Sequence, residues 1–180
     1  MVLTPLPAEQ WDDEARASLA SLVDPEMRNP ENAGNALATM VRHPSLTEVY
    51  LPFNTYLLQG STLPPRIREL LILRVAHYRS CDYEWGHHVV LAREAGLSDG
   101  EIVAVQNGSL TDEFDRTLMA AVDELHQQSK ISADTWVALG ARLDDRARMD
   151  LIFTVGGYGV FATALNTFGV ELEPDTAPTD

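Results

Sequence analysis

The run Glu69 to His88, ELLILRVAHYRSCDYEWGHH, sets two glutamates, the chain's one cysteine and three histidines beside the apolar stretch Leu70-Leu71-Ile72-Leu73. Few structural needs concentrate so many titratable groups next to a buried helix. The mixture suits acid/base or thiol chemistry. Cys81, Glu84 and His88 stand at i, i+3 and i+7, which puts all three on one helical face. A cysteine at a helix start meets backbone N–H groups and the positive end of the macrodipole, which favour a thiolate. Glu84 lies one turn before His88, where its carboxylate is expected to orient the imidazole and favour the protonated form. Glu69 falls on the preceding apolar helix, and a helical corner brings it back toward the same point. An acid in such a run needs a partner, and Arg66 or Arg74 is expected to supply it.

Plainer readings stand beside these. A single helical cysteine also serves as a small buried hydrophobe, and a Glu–His pair one turn apart also occurs as a solvated contact. Glu84-x-x-His87 and Asp123-x-x-His126 look like the two halves of a di-iron carboxylate motif. Asp123 and His126, however, fall outside the inner stripe of their helix, toward water, so no metal is expected. His43, before a proline, and His77, at a helix end, read as structural.

The elements that must position these groups are helices. Trp11 to about Val23 has helical spacing, ended by Asp24-Pro25. A second segment holds Leu37, Met40 and Val41. Ser45 then caps a helix through Leu57, with Pro52 expected to kink or divide it. Pro64-Pro65 opens a helix that is apolar on nearly every side from Ile67 to Ala76, which marks it as central. Tyr78-Arg79-Ser80 is the break, with Ser80 as N-cap of a helix from Cys81 to Ala95, stopped by Gly96. Ser98-Asp99-Gly100-Glu101 is a capping box. Thr111 opens an amphipathic helix with Phe114, Leu118, Val122 and Leu125 on its inner side. Ser132 and Asp144 cap the last two helices. Gly156, Gly157 and Gly159 in the final helix cost helix propensity of about 1 kcal/mol each, which implies close helix approach within the subunit or across an interface. No strand pair is evident, so the fold class is all-α. One domain is expected over 1–170, with an acidic, frayed tail over 171–180.

The 180 residues carry a formal charge of −14, from 13 basic against 27 acidic side chains. That balance excludes non-specific nucleic-acid binding and repels an anionic membrane. No run of ~20 uninterrupted apolar residues is present, so no membrane span is expected. The N-terminus has no secretion signal pattern. A lone cysteine suits a reducing, cytoplasmic setting.

From Pro64 to Val105 the chain resembles the carboxymuconolactone decarboxylase family, which includes the alkylhydroperoxidase D-like proteins. The resemblance rests on Arg66-x-Arg68-Glu69 and on Glu69-x11-Cys81-x2-Glu84-x3-His88. It implies an alkylhydroperoxidase D-like helical domain, assembled as a homo-oligomer, commonly a trimer or hexamer. In the peroxidase branch, a glutamate, a Cys-x-x-Cys pair and a histidine relay protons to a thiolate. Here the second cysteine is replaced by Glu84, so no intramolecular disulfide can form. In the decarboxylase branch, a Glu-x3-His lies on the same helix, and Glu84 and His88 match it. The resemblance thus implies a cofactor-independent lyase acting on a small organic acid or lactone. Its catalytic candidates are His88, Glu84, Cys81 and Glu69, and its substrate-binding candidates are Tyr83, His87 and Arg74. The alternative is a one-cysteine peroxidase recycled by an external thiol.

Overall fold

The computed structural model describes residues 3–174, and among them every regular element is helical. Nine α-helices run in order: α1 Asp13–Ala17, α2 Gly34–Met40, α3 Pro44–Thr55, α4 Pro65–Arg79, α5 Asp82–Glu94, α6 Asp99–Asn107, α7 Glu113–Gln128, α8 Ala133–Leu139 and α9 Asp145–Phe168. Two compact units emerge, one from the residues up to Gly60 with those from Ala164, the other from Ser61 to Thr163. The sequence reading draws one domain across 1–170.

In the first unit Trp11, Ala15, Leu19, Ala33, Ala38, Val41 and Leu51 form the core. Its helices differ from expectation at their ends. The Trp11–Val23 segment is helical only over α1, because Asp12 caps it and the chain then passes into turns. His43, not Ser45, caps α3, its Nδ1 accepting from the Leu46 N–H at 3.3 Å. Pro44 then takes the first helical position, where its missing N–H costs nothing. Pro52 does not divide α3; the helix runs on to Thr55 and changes to a single π-turn, Tyr56–Gly60. Part of the expected tail is docked: the Glu173 carboxylate accepts from the Asn35 backbone N–H at 2.6 Å, and the Glu171 carbonyl accepts from Asn35 Nδ2 at 2.8 Å. Residues 175–180 lie outside those described.

The second unit is built on α4. Every residue from Glu69 to Ala76 is buried, and Leu70 to Leu73 have no exposed surface. Such a helix must be covered all round, and α5, α6 and α7 pack against it. Ser98 and Glu101 form the capping box that starts α6. Asp112 caps α7 in place of Thr111, accepting from the N–H groups of Phe114 and Asp115. Ser132 caps α8 as expected, and Asp144 accepts from the Ala147 N–H at 2.9 Å to begin α9. The inner side of α9 places Leu151, Val155 and Tyr158 in this unit. By length and composition alone α9 could cross a membrane, although the expectation was of no such segment; 44% of its most apolar 18-residue window is buried inside the protein.

Candidate active site

The corner between α4 and α5 assembles the site. Ser80 adopts a left-handed conformation, φ 49°, and terminates α4, its N–H returning to Ala76 and His77. The sequence reading made Ser80 the cap of α5. Instead Cys81 occupies the N-cap position in extended geometry. Because Ser80 absorbs the reversal, α5 folds back along α4 with Glu84 and His88 on its inward face.

Glu69 is fully buried between two partners. Its Oε1 accepts from Arg68 Nε at 2.8 Å, and its Oε2 lies 2.7 Å from His88 Nδ1. With the carboxylate paired to Arg68, Nδ1 carries the proton and donates it to Glu69. Nε2 is then the nitrogen available to exchange a proton. The Tyr158 ring meets the imidazole edge-on, 5.0 Å between centroids, and helps to fix its plane. The role of His88 orienter, expected of Glu84, therefore falls to Glu69.

Glu84 has a different character. It is 2% exposed, and neither of its carboxyl oxygens has a hydrogen-bond partner. Burial without compensation pushes its carboxyl well above the ordinary range, so it is held neutral. Cys81 is 1% exposed, and burial pushes its thiol up from 9.0 to about 11. The backbone N–H groups of Glu84 and Tyr83 pull toward the thiolate but are outweighed, and the charge of Asp82, with that of Glu84 wherever it ionises, adds to the rise. The expected helix-start thiolate is thus a thiol, because desolvation exceeds the pull of the helix terminus.

Of the substrate-binding candidates, Tyr83 and His87 meet on one half-buried side of α5, their rings tilted by 43° with centroids 4.5 Å apart. Arg74 is turned elsewhere. Its Nε and Nη2 bind Asp123 in a fork, both at 2.8 Å; Nη1 donates to the Val105 and Gln106 carbonyls, both at 2.7 Å; and Nη2 also reaches the Tyr78 hydroxyl at 3.2 Å. All five guanidinium N–H groups are spent closing α6 onto α4 and α7. Asp123, expected to face water, is Arg74's partner. Arg66 binds Glu101 at 2.8 Å and also Asp115, so neither arginine expected to pair Glu69 does so. Among the described residues no three His, Cys, Asp or Glu side chains gather as metal ligands.

Sequence reasoning missed Arg68 and Tyr158. Arg68 was visible in the Arg-x-Arg-Glu string, but adjacent helical residues do not share a face, which directed attention to Arg66. Tyr158 lies 70 positions from His88, beyond the reach of any spacing argument.

Residues 44–127 match the sequence model of the carboxymuconolactone decarboxylase family. The span contains Glu69, Cys81, Glu84 and His88. Over that span the chain is similar to the carboxymuconolactone decarboxylase family. Solved structures share the fold over nearly the full length. An alkylhydroperoxidase AhpD core from Ralstonia eutropha, described as an uncharacterized peroxidase-related protein, superposes with a TM-score of 0.77 at 14% identity, covering 98% of this chain and 95% of that one. The debrominase Bmp8 gives 0.72 at 13% identity, covering 98% and 94%. A cysteine-to-alanine variant of that debrominase in complex with 2,3,4-tribromopyrrole gives 0.71 at 14%, also covering 98% and 94%. These identities establish the fold, which is AhpD-like and all-helical. No curated protein sequence matches the chain significantly.

Proposed function

We propose that this chain is a cofactor-independent acid/base enzyme, lyase-like, acting on a small organic acid or lactone. One observation carries the reading: Glu69, buried between Arg68 and His88, fixes which imidazole nitrogen bears the proton, while burial keeps the adjoining Glu84 and Cys81 protonated. This pairs a base with an acid, because environments that push two titratable groups apart assign them opposite roles. In a decarboxylation, the bond from carbon to the carboxylate breaks and its electrons move onto the substrate's own neighbouring carbonyl. Carbon dioxide leaves, and the neutral Glu84 donates a hydrogen bond to the developing enolate oxygen. His88 enters this step as imidazolium, with a proton taken from solvent on Nε2, delivers that proton to carbon and is left neutral with Nδ1–H still donated to Glu69. In an isomerisation the same nitrogen first removes the proton. Tyr83 and His87, on the half-buried side of α5, are the groups placed to meet the substrate. Oligomerisation is part of the proposal: Leu46, Val49, Phe53 and Tyr56 expose one apolar face of the first unit at helical spacing, which a second copy would cover.

The test is carbon dioxide release from a panel of carboxylated lactones, carboxymuconolactone among them. Turnover by the wild type that survives in His88→Gln would remove the imidazole from the mechanism.

A thiol route is the second reading, favoured by the backbone N–H groups aimed at Cys81 and by the fold shared with a debrominase whose cysteine variant holds a brominated pyrrole. Mass spectrometry after stoichiometric hydroperoxide separates the two. Oxygen added at Cys81 supports the thiol route, and an unmodified Cys81 rejects it.

A further inference from the structure

The Ser61–Thr163 unit contains a hollow of about 420 Å³ that none of Glu69, Cys81, Glu84 or His88 lines. It opens between the C-terminal ends of α4 and α7 and the middle of α9. Such a volume lies within the range of small-molecule sites. Its walls are aliphatic, with Val75 from α4, Val122 and Leu125 from α7, and Val155 from α9. Arg79 and His126 are among its polar members, and among the described residues no carboxylate lines it, although the chain as a whole carries a charge of −14.

Two glycines make the space. A Cβ at Gly156 would meet no atom within 4 Å, so the close helix approach expected there does not occur within this unit. A glycine in mid-helix with open space before it lowers helix propensity for no internal packing gain. At Gly159 a Cβ would stand 3.5 Å from Arg79 Nη2, so the guanidinium lies close to the backbone of α9 at the edge of the hollow. The Tyr78 ring meets the Arg74 guanidinium, 4.7 Å from its centroid, and the His126 imidazole, 4.3 Å away and nearly parallel.

We propose that this groove is a second, non-catalytic binding site for a small monocarboxylate with an apolar body. The apolar part fills the aliphatic walls before Gly156, and the carboxylate pairs with the positive charge of Arg79 at the rim. The carbonyl ends of α4 and α7 face the same rim and disfavour an anion. The carboxylate therefore depends on Arg79, and a neutral ligand of the same shape gains nothing from it.

Calorimetric titration of the full chain with octanoate and with 2-naphthoate, an aliphatic and an aromatic member of the class, tests this. At least one is expected to bind at one per chain. Arg79→Gln should weaken that binding at least tenfold, and 1-octanol should bind wild type at least tenfold more weakly than octanoate. Gly156→Leu, which fills the hollow, should abolish binding with thermal melting preserved. His88→Gln should bind as wild type does, whether or not it retains turnover, so this site and the catalytic reading fail separately. Absence of binding by both acids, or indifference to Arg79→Gln, overturns the proposal. So does a Gly156→Leu variant that sediments as a smaller assembly while neither acid binds wild type, which would give the groove to a second copy of the chain.

Discussion

Two buried arginine–carboxylate clusters sit on α4, one turn and a half apart, and they are finished differently. Around Arg74 every guanidinium N–H has an acceptor: Asp123 twice, two carbonyls at the end of α6, and the Tyr78 hydroxyl. Around Glu69 the network stops short. Its carboxylate is satisfied by Arg68 and His88, yet Glu84 on the facing helix keeps two unpaired oxygens and Cys81 an unionised thiol. A closed network fastens helices together, and an open one stores groups whose protonation can still change. The same helix thus holds a structural and a chemical cluster, and satisfaction of donors tells them apart.

The largest expected break of that contrast is His88→Gln. Loss of a positioned proton-transfer group should lower turnover by about 10²–10⁴-fold, with helicity by circular dichroism unchanged. Arg74→Met should do the reverse. Removing the guanidinium leaves two carbonyls and a partly exposed Asp123 without their donor, at a cost of about 1–3 kcal/mol. Urea denaturation should register that loss, while the His88-dependent pH profile of turnover keeps its shape. A variant that keeps wild-type stability but loses turnover would move Arg74 into the chemical cluster.

Glu84 sharpens the comparison through pH. Its folded carboxyl titrates well above the unfolded value of 4.5 because burial disfavours the charge. The folded state therefore holds its proton where the unfolded chain has lost it. Stability from this group is full below 4.5 and declines as pH rises toward the folded value, by up to about 1.4 kcal/mol per pH unit within that window. Glu84→Gln, neutral at every pH, should flatten that decline and be more stable than wild type at pH 7. Equal slopes in the two proteins would mean that Glu84 is charged or solvated in the fold.

Much of the α4–α5 region was legible from residue types. An apolar run with no polar side can only be central, which placed Leu70 to Leu73 correctly. The spacing of Glu84 and His88 placed both on the inward face of α5. What escaped were choices between near-equivalent partners. Arg66, Arg68 and Arg74 all lie within reach of Glu69 along the chain, and only α6 and α7, bringing Glu101, Asp115 and Asp123, decide which arginine remains for it. The cap at Cys81 was displaced by one residue because a left-handed Ser80, uncommon for a residue with a Cβ, leaves no mark in composition. That displacement matters, since it moves the thiol from a helix's first turn to its enclosed corner.

The smallest expected effect concerns that thiol. With its folded value near 11, on the order of one Cys81 in 10⁴ is ionised at pH 7, against about one in a hundred of a cysteine at the ordinary value of 9.0. Only the thiolate is alkylated, so iodoacetamide should modify native Cys81 roughly a hundredfold more slowly than the same residue in urea. The rate should rise through pH 11 instead of 9. Glu84 raises the thiol only where it is ionised, and burial holds it neutral at pH 7. Labelling of Glu84→Gln at pH 7 should therefore match the wild-type rate. Fast labelling of the wild type at pH 7 would mean that Cys81 is ionised and reachable, which would turn the open cluster from proton transfer toward thiol chemistry.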